Sequence, residues 1–400
     1  MALSRLNRVV VLLTVGILFL TPLLRFTTLM FSQPPNFFDF GVYYQVGQFV
    51  VEGQPLYDTP LDRIPNTANA WLYPPIVAVI FVPFQLLPFE ISAWVWVTIS
   101  LLALLFSVRF FLRASIPNCP RYLLWAVLLA VLLYYPTYSL VYLGQVTGFF
   151  VTALFLVAGL IFRPHDHNDR FHGILVTLPA VVKPFYAPAG VTLLRDRRRI
   201  YTALGTGIIL AIFSVLVFGI GENIRYLKVL DGGGKEWGIF KPVTTWNRHT
   251  YAPFYSLGFG ALIAKVSVVL TTIIATLVTR QRDEVVTESL IFALGVTAIA
   301  LAAPSPDLLL LMTVLPAMLV VGVIEYRAAN GQLGVPVGIL LLVHLHPVGL
   351  RLLMSGPVMR VIDNGLLFAA IPFLQPALLG ILLLFVWILF RLYRPPTISH

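Results

Sequence analysis

The feature that most constrains this chain is a repeated one: apolar runs of roughly twenty residues, divided by short connectors in which arginines collect. At a rise of about 1.5 Å per residue, such a run matches the roughly 30 Å hydrocarbon core of a bilayer. The runs occupy about residues 8 to 31, 90 to 112, 121 to 138, 146 to 162, 171 to 194, 200 to 219, 252 to 279, 285 to 303, 307 to 324, 333 to 350 and 365 to 390. Inside hydrocarbon, backbone amides and carbonyls must bond within their own segment, so runs of this kind become helices. A β-barrel is excluded, because its strands alternate apolar and polar residues. Composition agrees: 58% of residues are hydrophobic and 11% charged, where a soluble domain carries charge on about a quarter. The expected fold is all-α and polytopic, with one integral membrane domain over residues 1–400. The lone Cys119 permits no internal disulfide and no cysteine-based metal or redox centre.

Arginine placement supplies the topology, since basic residues stay on the cytoplasmic side. Arg5 and Arg8 predict a signal anchor with a cytoplasmic N-terminus. Further clusters stand at Arg109, Arg113 and Arg121, at Arg163 and Arg170, at Arg195 with Arg197, Arg198 and Arg199, at Arg280 and Arg282, at Arg327, and at Arg391 and Arg394. For all of them to be cytoplasmic, the 171 to 194 run must cross out and back, breaking at Lys183-Pro184, where proline interrupts a helix. Tyr73 to Leu87 must then form a helix packed in or along the outer leaflet. The result is about twelve crossings of a prokaryotic plasma membrane with both termini inside. This asymmetry accounts for the net charge of +10; membrane lipids are expected partners and nucleic acid is not.

Two polar segments fall outside, residues 32 to 89 and 220 to 251, and neither is long enough to be a catalytic domain of its own. Chemistry must occur where they meet the outer helix ends. There the sequence sets Asp39, Tyr73, Gln145, Lys183, Asn247, Arg248, His249, Asp307, His344, His346 and Arg351, and polar groups so close to lipid imply a lined cavity. Val42, Val46, Phe49 and Val50 share one helical face, predicting an amphipathic surface helix over residues 40 to 52, stopped by Gly53. Asp39 stands at its start. It serves as an N-cap there, worth about 1 kcal/mol, and the helix N-terminus also keeps its carboxylate ionised and able to accept a proton. His344 and His346, at i and i+2, do not share a helical face, so they do not read as a metal site, although one of them is a candidate contact for sugar or phosphate. Asp231-Gly232-Gly233-Gly234-Lys235 lacks the pattern of a phosphate loop and reads as flexible chain.

Asp39-x-x-x-Tyr43-Tyr44, then Gly53-x-Pro55-Leu56-Tyr57-Asp58, Tyr73-Pro74-Pro75 with Pro83 downstream, Gly144-Gln145 opening a span, and Lys183-Pro184 before an arginine run follow in order. This series resembles glycosyltransferase family 87, over roughly residues 36 to 200 with a weaker echo later. The resemblance implies a GT-C bundle, a family-like catalytic part over residues 1–250, and C-terminal helices over 251–400. It also implies a mannosyltransferase that uses a polyprenyl-phosphate-mannose donor, with Asp39 matching the aspartate taken as catalytic base. The chain departs from the family at Gly144-Gln145-Val146-Thr147, where many relatives show Gly-Gln-x-Asn. It departs again at Ser305-Pro306-Asp307, where relatives often carry Trp and His. Sugar and acceptor are left open by those departures, as is the need for a divalent ion.

Such a transferase needs a base, positive charge for the departing phosphate, and a path in from lipid. Asp39 is the candidate base, with Asp58, Asp62 and Asp307 as rivals. Lys183, Arg248, His249 and Arg351 are candidates for the phosphate, against a bland reading of Lys183 as a snorkelling interface lysine. Tyr43, Tyr73, Gln145 and Asn247 complete the expected substrate contacts. Lys265 and Arg25 lie within apolar runs, where ionisable groups face the bundle interior or reach an interface. The acceptor is a lipid or glycan hydroxyl. A transporter or lipid flippase is the alternative function; it commonly shows two related halves and polar groups at mid-membrane depth, whereas here the polar residues gather at one surface. A third possibility is a structural partner of an envelope complex.

Overall fold

A computed structural model describes residues 35–57, 71–163, 168–236, 259–282, 284–303, 308–355 and 375–397. Among them the chain is helical and holds no β-strand. Helix α1 spans Phe38–Glu52, and a 3-10 helix follows at Pro75–Leu86. Then come α2 (Phe89–Ser115), α3 (Arg121–Leu133), α4 (Tyr135–Leu143), α5 (Thr147–Ile161) and α6 (Asn168–Val182), followed by a second 3-10 helix at Pro184–Arg195. The remainder is α7 (Arg197–Glu236), α8 (Phe259–Val278), α9 (Val285–Ala302), a short 3-10 turn at Leu308–Leu310, α10 (Leu311–Arg327), α11 (Gly334–Ser355) and α12 (Pro376–Tyr393).

Among the described residues, five stretches are long and apolar enough to cross a membrane: Phe89–Ser115, Arg197–Leu230, Gly260–Val278, Val285–Ala302 and Pro376–Tyr393. The α3–α4 pair, bent by 56°, makes a sixth when counted as one span. The protein is a multi-pass membrane protein. The sequence predicts about twelve crossings, more than the described residues supply. The first run lies outside the described residues, α5 is short, and the 171 to 194 run is divided in two at Lys183.

Burial separates two kinds of apolar helix. The central one, α9, is apolar all round, and Leu290, Ile291, Phe292, Leu294, Ile299 and Leu301 are wholly buried. It is enclosed by α8, α10, α12 and the Pro184–Arg195 helix. The opposite case is α7, on which Leu204, Ile208, Ile212, Phe213, Leu216 and Ile220 are more than half exposed. A helix apolar on every side and left uncovered by protein suits hydrocarbon and not water. It breaks at Gly219, whose φ of 74° and ψ of 168° are not helical.

Arg195, Arg282, Arg327 and Arg391, from among the predicted cytoplasmic arginines, gather on one face, where the first three bind carbonyls at helix C-termini. Arg195 donates to the carbonyls of Thr279 (3.2 Å) and Arg282 (2.6 Å), beyond the end of α8. Arg282 donates to Leu392 at the end of α12 (2.8 Å), and Arg327 to Ser115 at the end of α2 (2.9 Å). Arg199 pairs with Asp169 (2.7 Å) and Glu288 (2.5 Å). Buried Glu325 accepts from Arg391 through both carboxylate oxygens (2.6 and 2.5 Å), from the Trp387 indole (3.0 Å) and from the Gln332 amide (2.7 Å). Helices α2, α8, α10 and α12 therefore end on this face.

At the other end of α2 the first loop packs down. Here α1 departs from expectation. It starts at Phe38, with left-handed Phe37 (φ 48°) before it, so Asp39 lies within the first turn and is not the cap. The cap function falls to Asn36, whose side-chain oxygen accepts from the Phe38 amide at 3.2 Å. Gly53 stops the helix as predicted, at φ 66°. The predicted apolar face is buried, but so is the opposite one: Phe40 contacts Phe84, Phe89 and Trp96 while Tyr43 contacts Trp71 and Phe81. Aromatic residues on both sides make α1 a core helix and not an amphipathic surface helix. The Pro75–Leu86 helix lies against it, leaving Ile80 and Leu86 exposed. Beyond the Gly219 break, α7 joins the same face: Glu222 accepts from the Leu56 amide (3.3 Å), and Tyr226 meets the Tyr57 ring at 6.4 Å.

Candidate active site

The site is built around the turn between α4 and α5. Gly144 ends α4 with φ 68°, and a Cβ at this position would lie 2.7 Å from the Cβ of Phe40, so conformation and close approach both demand glycine. Its carbonyl accepts from the Trp96 indole (2.9 Å), and the carbonyl of Tyr142 accepts from the Phe37 amide (3.0 Å). The turn is thereby fixed to α2 and to the start of α1. Gln145, the next residue, turns its Oε1 toward the Tyr43 hydroxyl (2.8 Å) and the Val146 amide (2.9 Å).

Tyr43 is the hub. Its hydroxyl also meets that of Tyr73 at 3.1 Å, and its ring stacks on Phe81 at 4.9 Å. Burial, then the neighbouring Tyr73 and Asp39, push the Tyr43 hydroxyl well above its ordinary pKa, so it stays protonated. Asp39 precedes Tyr43 by one turn of α1, the spacing that brings two side chains to one face. Tyr73 is held through its carbonyl by the Tyr57 hydroxyl (2.7 Å).

Lys183 reaches the cluster from the far side. Pro179 lies within α6 and Pro184 follows Lys183, so the lysine adopts the extended conformation favoured before proline (φ −132°, ψ 101°). The chain reverses there, and the second 3-10 helix packs back on α6. The Lys183 ammonium stands 5.5 Å from the Tyr73 ring centre, 5.8 Å from Phe150 and 6.0 Å from Phe185. Asp39, Tyr43, Tyr73, Gln145 and Lys183, drawn from four separate parts of the chain, thus form one cluster with a carboxylate, an amide and an ammonium.

Other predicted positions lie elsewhere. His344 is buried and stacks on Tyr134 with ring centres 6.2 Å apart. His346 accepts from the Ala377 amide through Nδ1 at 3.5 Å. Lys265 donates to the Ala303 carbonyl (2.8 Å), so this cation in an apolar run caps α9. Asn247, Arg248, His249, Asp307, Asp58, Asp62 and Arg25 lie outside the described residues, as does the side chain of Arg351. Among the described residues no group of three or more His, Cys, Asp or Glu could hold a metal ion. Sequence reasoning missed Trp96 and Phe150, which position the turn and surround Lys183. An aromatic residue in an apolar run has no pattern that separates this role from lipid contact.

The profile of glycosyltransferase family 87 matches residues 71–304. The chain is 26% identical over 258 residues, 62% of its length and 58% of the relative's, to the polyprenol-phosphate-mannose-dependent alpha-(1-2)-phosphatidylinositol pentamannoside mannosyltransferase of Mycobacterium tuberculosis. It is 28% identical over 264 residues to the protein of the same name in Mycolicibacterium smegmatis, 63% of this chain and 61% of that one. The chain spans about three fifths of the length of these curated relatives. The profile takes in Tyr73, Gln145 and Lys183 and covers more than half of the sequence: this chain belongs to glycosyltransferase family 87.

Proposed function

We propose that this protein is a membrane glycosyltransferase that moves mannose from a polyprenyl-phosphate donor to a hydroxyl of a lipid or glycan acceptor, on the outer face of the membrane. Asp39 accepts the proton of the acceptor hydroxyl as its oxygen attacks the anomeric carbon. The bond between that carbon and the phosphate oxygen breaks, and the polyprenyl phosphate departs with the bonding electrons. Lys183 stabilises the growing phosphate charge more in the transition state than in the ground state. The observation that carries the reading is the cluster itself: Tyr43, one turn from Asp39, meets Tyr73 at 3.1 Å, and Tyr73 carries Lys183 on its ring. The names of the relatives add the donor class and make phosphatidylinositol mannosides the first acceptors to try.

Tyr73, Gln145, Asn247, Arg248, His249, Asp307 and Arg351 complete the proposed substrate contacts, and Tyr43 acts from behind them. The plan includes about twelve crossings, cytoplasmic termini and a single domain over 1–400. The gathering of the arginines on the opposite face supports that sidedness. The test is transfer in detergent, with labelled polyprenyl-phosphate-mannose and phosphatidylinositol mannosides. Product formed without a sealed bilayer is expected of a transferase. No product with any lipid acceptor, alongside lipid movement across proteoliposomes, would instead identify a flippase.

A further inference from the structure

We infer that Gln145 is a hydrogen-bond donor of fixed polarity that reads an oxygen acceptor on the polyprenyl-phosphate-sugar, and that Tyr43 is the positioning residue that holds it so. The identity of the ligand rests on the transferase reading above; the polarity rests on hydrogen-bond geometry alone.

A glutamine amide has an accepting end and a donating end, and a half-turn exchanges them. Here the exchange is blocked. The Val146 amide, which can only donate, lies 2.9 Å from Oε1, so the atom facing it is the oxygen. The Tyr43 hydroxyl donates to the same oxygen at 2.8 Å. A tyrosine has one hydroxyl proton, so in the 3.1 Å contact between Tyr43 and Tyr73 the donor is Tyr73. The order of protons is Tyr73 to Tyr43 to Gln145. Two donors on Oε1 leave Nε2 at the opposite end of the amide. It meets no acceptor among the described residues, and it is not one of the sealed, unpartnered polar atoms; Gln145 keeps 8% of its surface exposed.

The amide thus offers N–H groups and no lone pair to an incoming molecule. An oxygen acceptor satisfies them, while a ligand group that can only donate leaves both sides unpaired, the arrangement by which buried polar groups discriminate most strongly. Phosphoryl oxygens and sugar hydroxyl oxygens share the required chemistry. Both belong to the proposed donor, and Lys183 lies over the ring of Tyr73.

The test measures direct binding by the full-length protein in nanodiscs. The probes are labelled polyprenyl-phosphate-mannose and polyprenyl phosphate alone, and thermal unfolding is followed in parallel. Gln145→Glu keeps an acceptor for Tyr43 and Val146 but loses the donor; Gln145→Met loses the donor without adding charge. Both are expected to weaken binding of the mannosylated lipid by about tenfold, the effect of one lost hydrogen bond. Gln145→Glu should do so at the wild-type unfolding temperature. Tyr43→Phe, which removes one of the two anchors, is expected to weaken it by less. Equal losses for polyprenyl phosphate assign the contact to a phosphoryl oxygen, and a loss confined to the mannosylated lipid assigns it to the sugar; either outcome supports the inference. Full affinity in both Gln145 variants would overturn it and leave the transferase reading standing. A wild-type protein that binds neither lipid overturns that reading and the inference together.

Discussion

The ammonium of Lys183 stands 5.5 Å from the centre of the Tyr73 ring, joining the reversal after α6 to the segment that leads into the first 3-10 helix. Because the Tyr73 hydroxyl in turn meets Tyr43, one helical turn from Asp39, the proposed base and the proposed phosphate ligand are linked through two side chains. A cation over an aromatic face gains about 0.5–2 kcal/mol, enough to hold the lysine in place and small enough to yield it to a phosphate.

Replacing Lys183 by Met should lower kcat by about 100-fold, the scale of removing one charge-stabilising group from a transition state. Stability should fall by about 1–2 kcal/mol, the scale of the lost ring contacts. Initial rates and thermal unfolding in detergent check both. Full activity in Lys183→Met would remove the phosphate role.

Asp39→Asn keeps the size of the side chain and removes the proton acceptor. The rate of transfer should drop by about 100- to 10,000-fold, the range for loss of a general base, with donor affinity retained. Transfer at the wild-type rate by the purified variant would exclude Asp39 as the base.

Gly144→Ala should destabilise the protein by about 1–3 kcal/mol, because alanine is disfavoured at φ 68° and its Cβ would lie 2.7 Å from Phe40. Any relief of that contact moves the α4–α5 turn away from α1. Gln145 and Tyr43 then separate, so donor binding should weaken along with the unfolding temperature.

On the opposite face, Glu325→Ala leaves the Arg391 guanidinium buried and without its carboxylate. The expected loss is about 3–5 kcal/mol, read from chemical or thermal unfolding. Glu325 lies far along α10 from the candidate site, so kcat of the protein that remains folded should be unchanged; a selective loss of kcat would show that this pair does more than join α10 to α12.

The arginine pattern was legible in the sequence because each cation must keep to one side of the bilayer, and Arg195, Arg282, Arg327 and Arg391 indeed meet on one face. The break at Lys183 was legible for a similar reason: two prolines near one residue leave the backbone little choice. The character of α1 was not. Val42, Val46 and Phe49 mark one buried face, but burial of the other depends on Phe84, Phe89 and Trp96 arriving from distant segments. The sequence set His344 among the site candidates and Lys265 within an apolar run, and packing gave one an aromatic neighbour and the other a helix end.

Local chemistry alone made this a helical membrane protein, with arginines gathered at one set of helix ends. The cost of exposing backbone or charge to hydrocarbon acts on each segment wherever its neighbours are. Only the tertiary structure decided that Gln145 points its oxygen at Tyr43, that the Tyr43 hydroxyl also meets Tyr73, and that Lys183 rests on Tyr73. Hydrogen-bond polarity and ring contacts are set by atoms a few ångströms apart from segments far apart in the chain, and no local pattern encodes them.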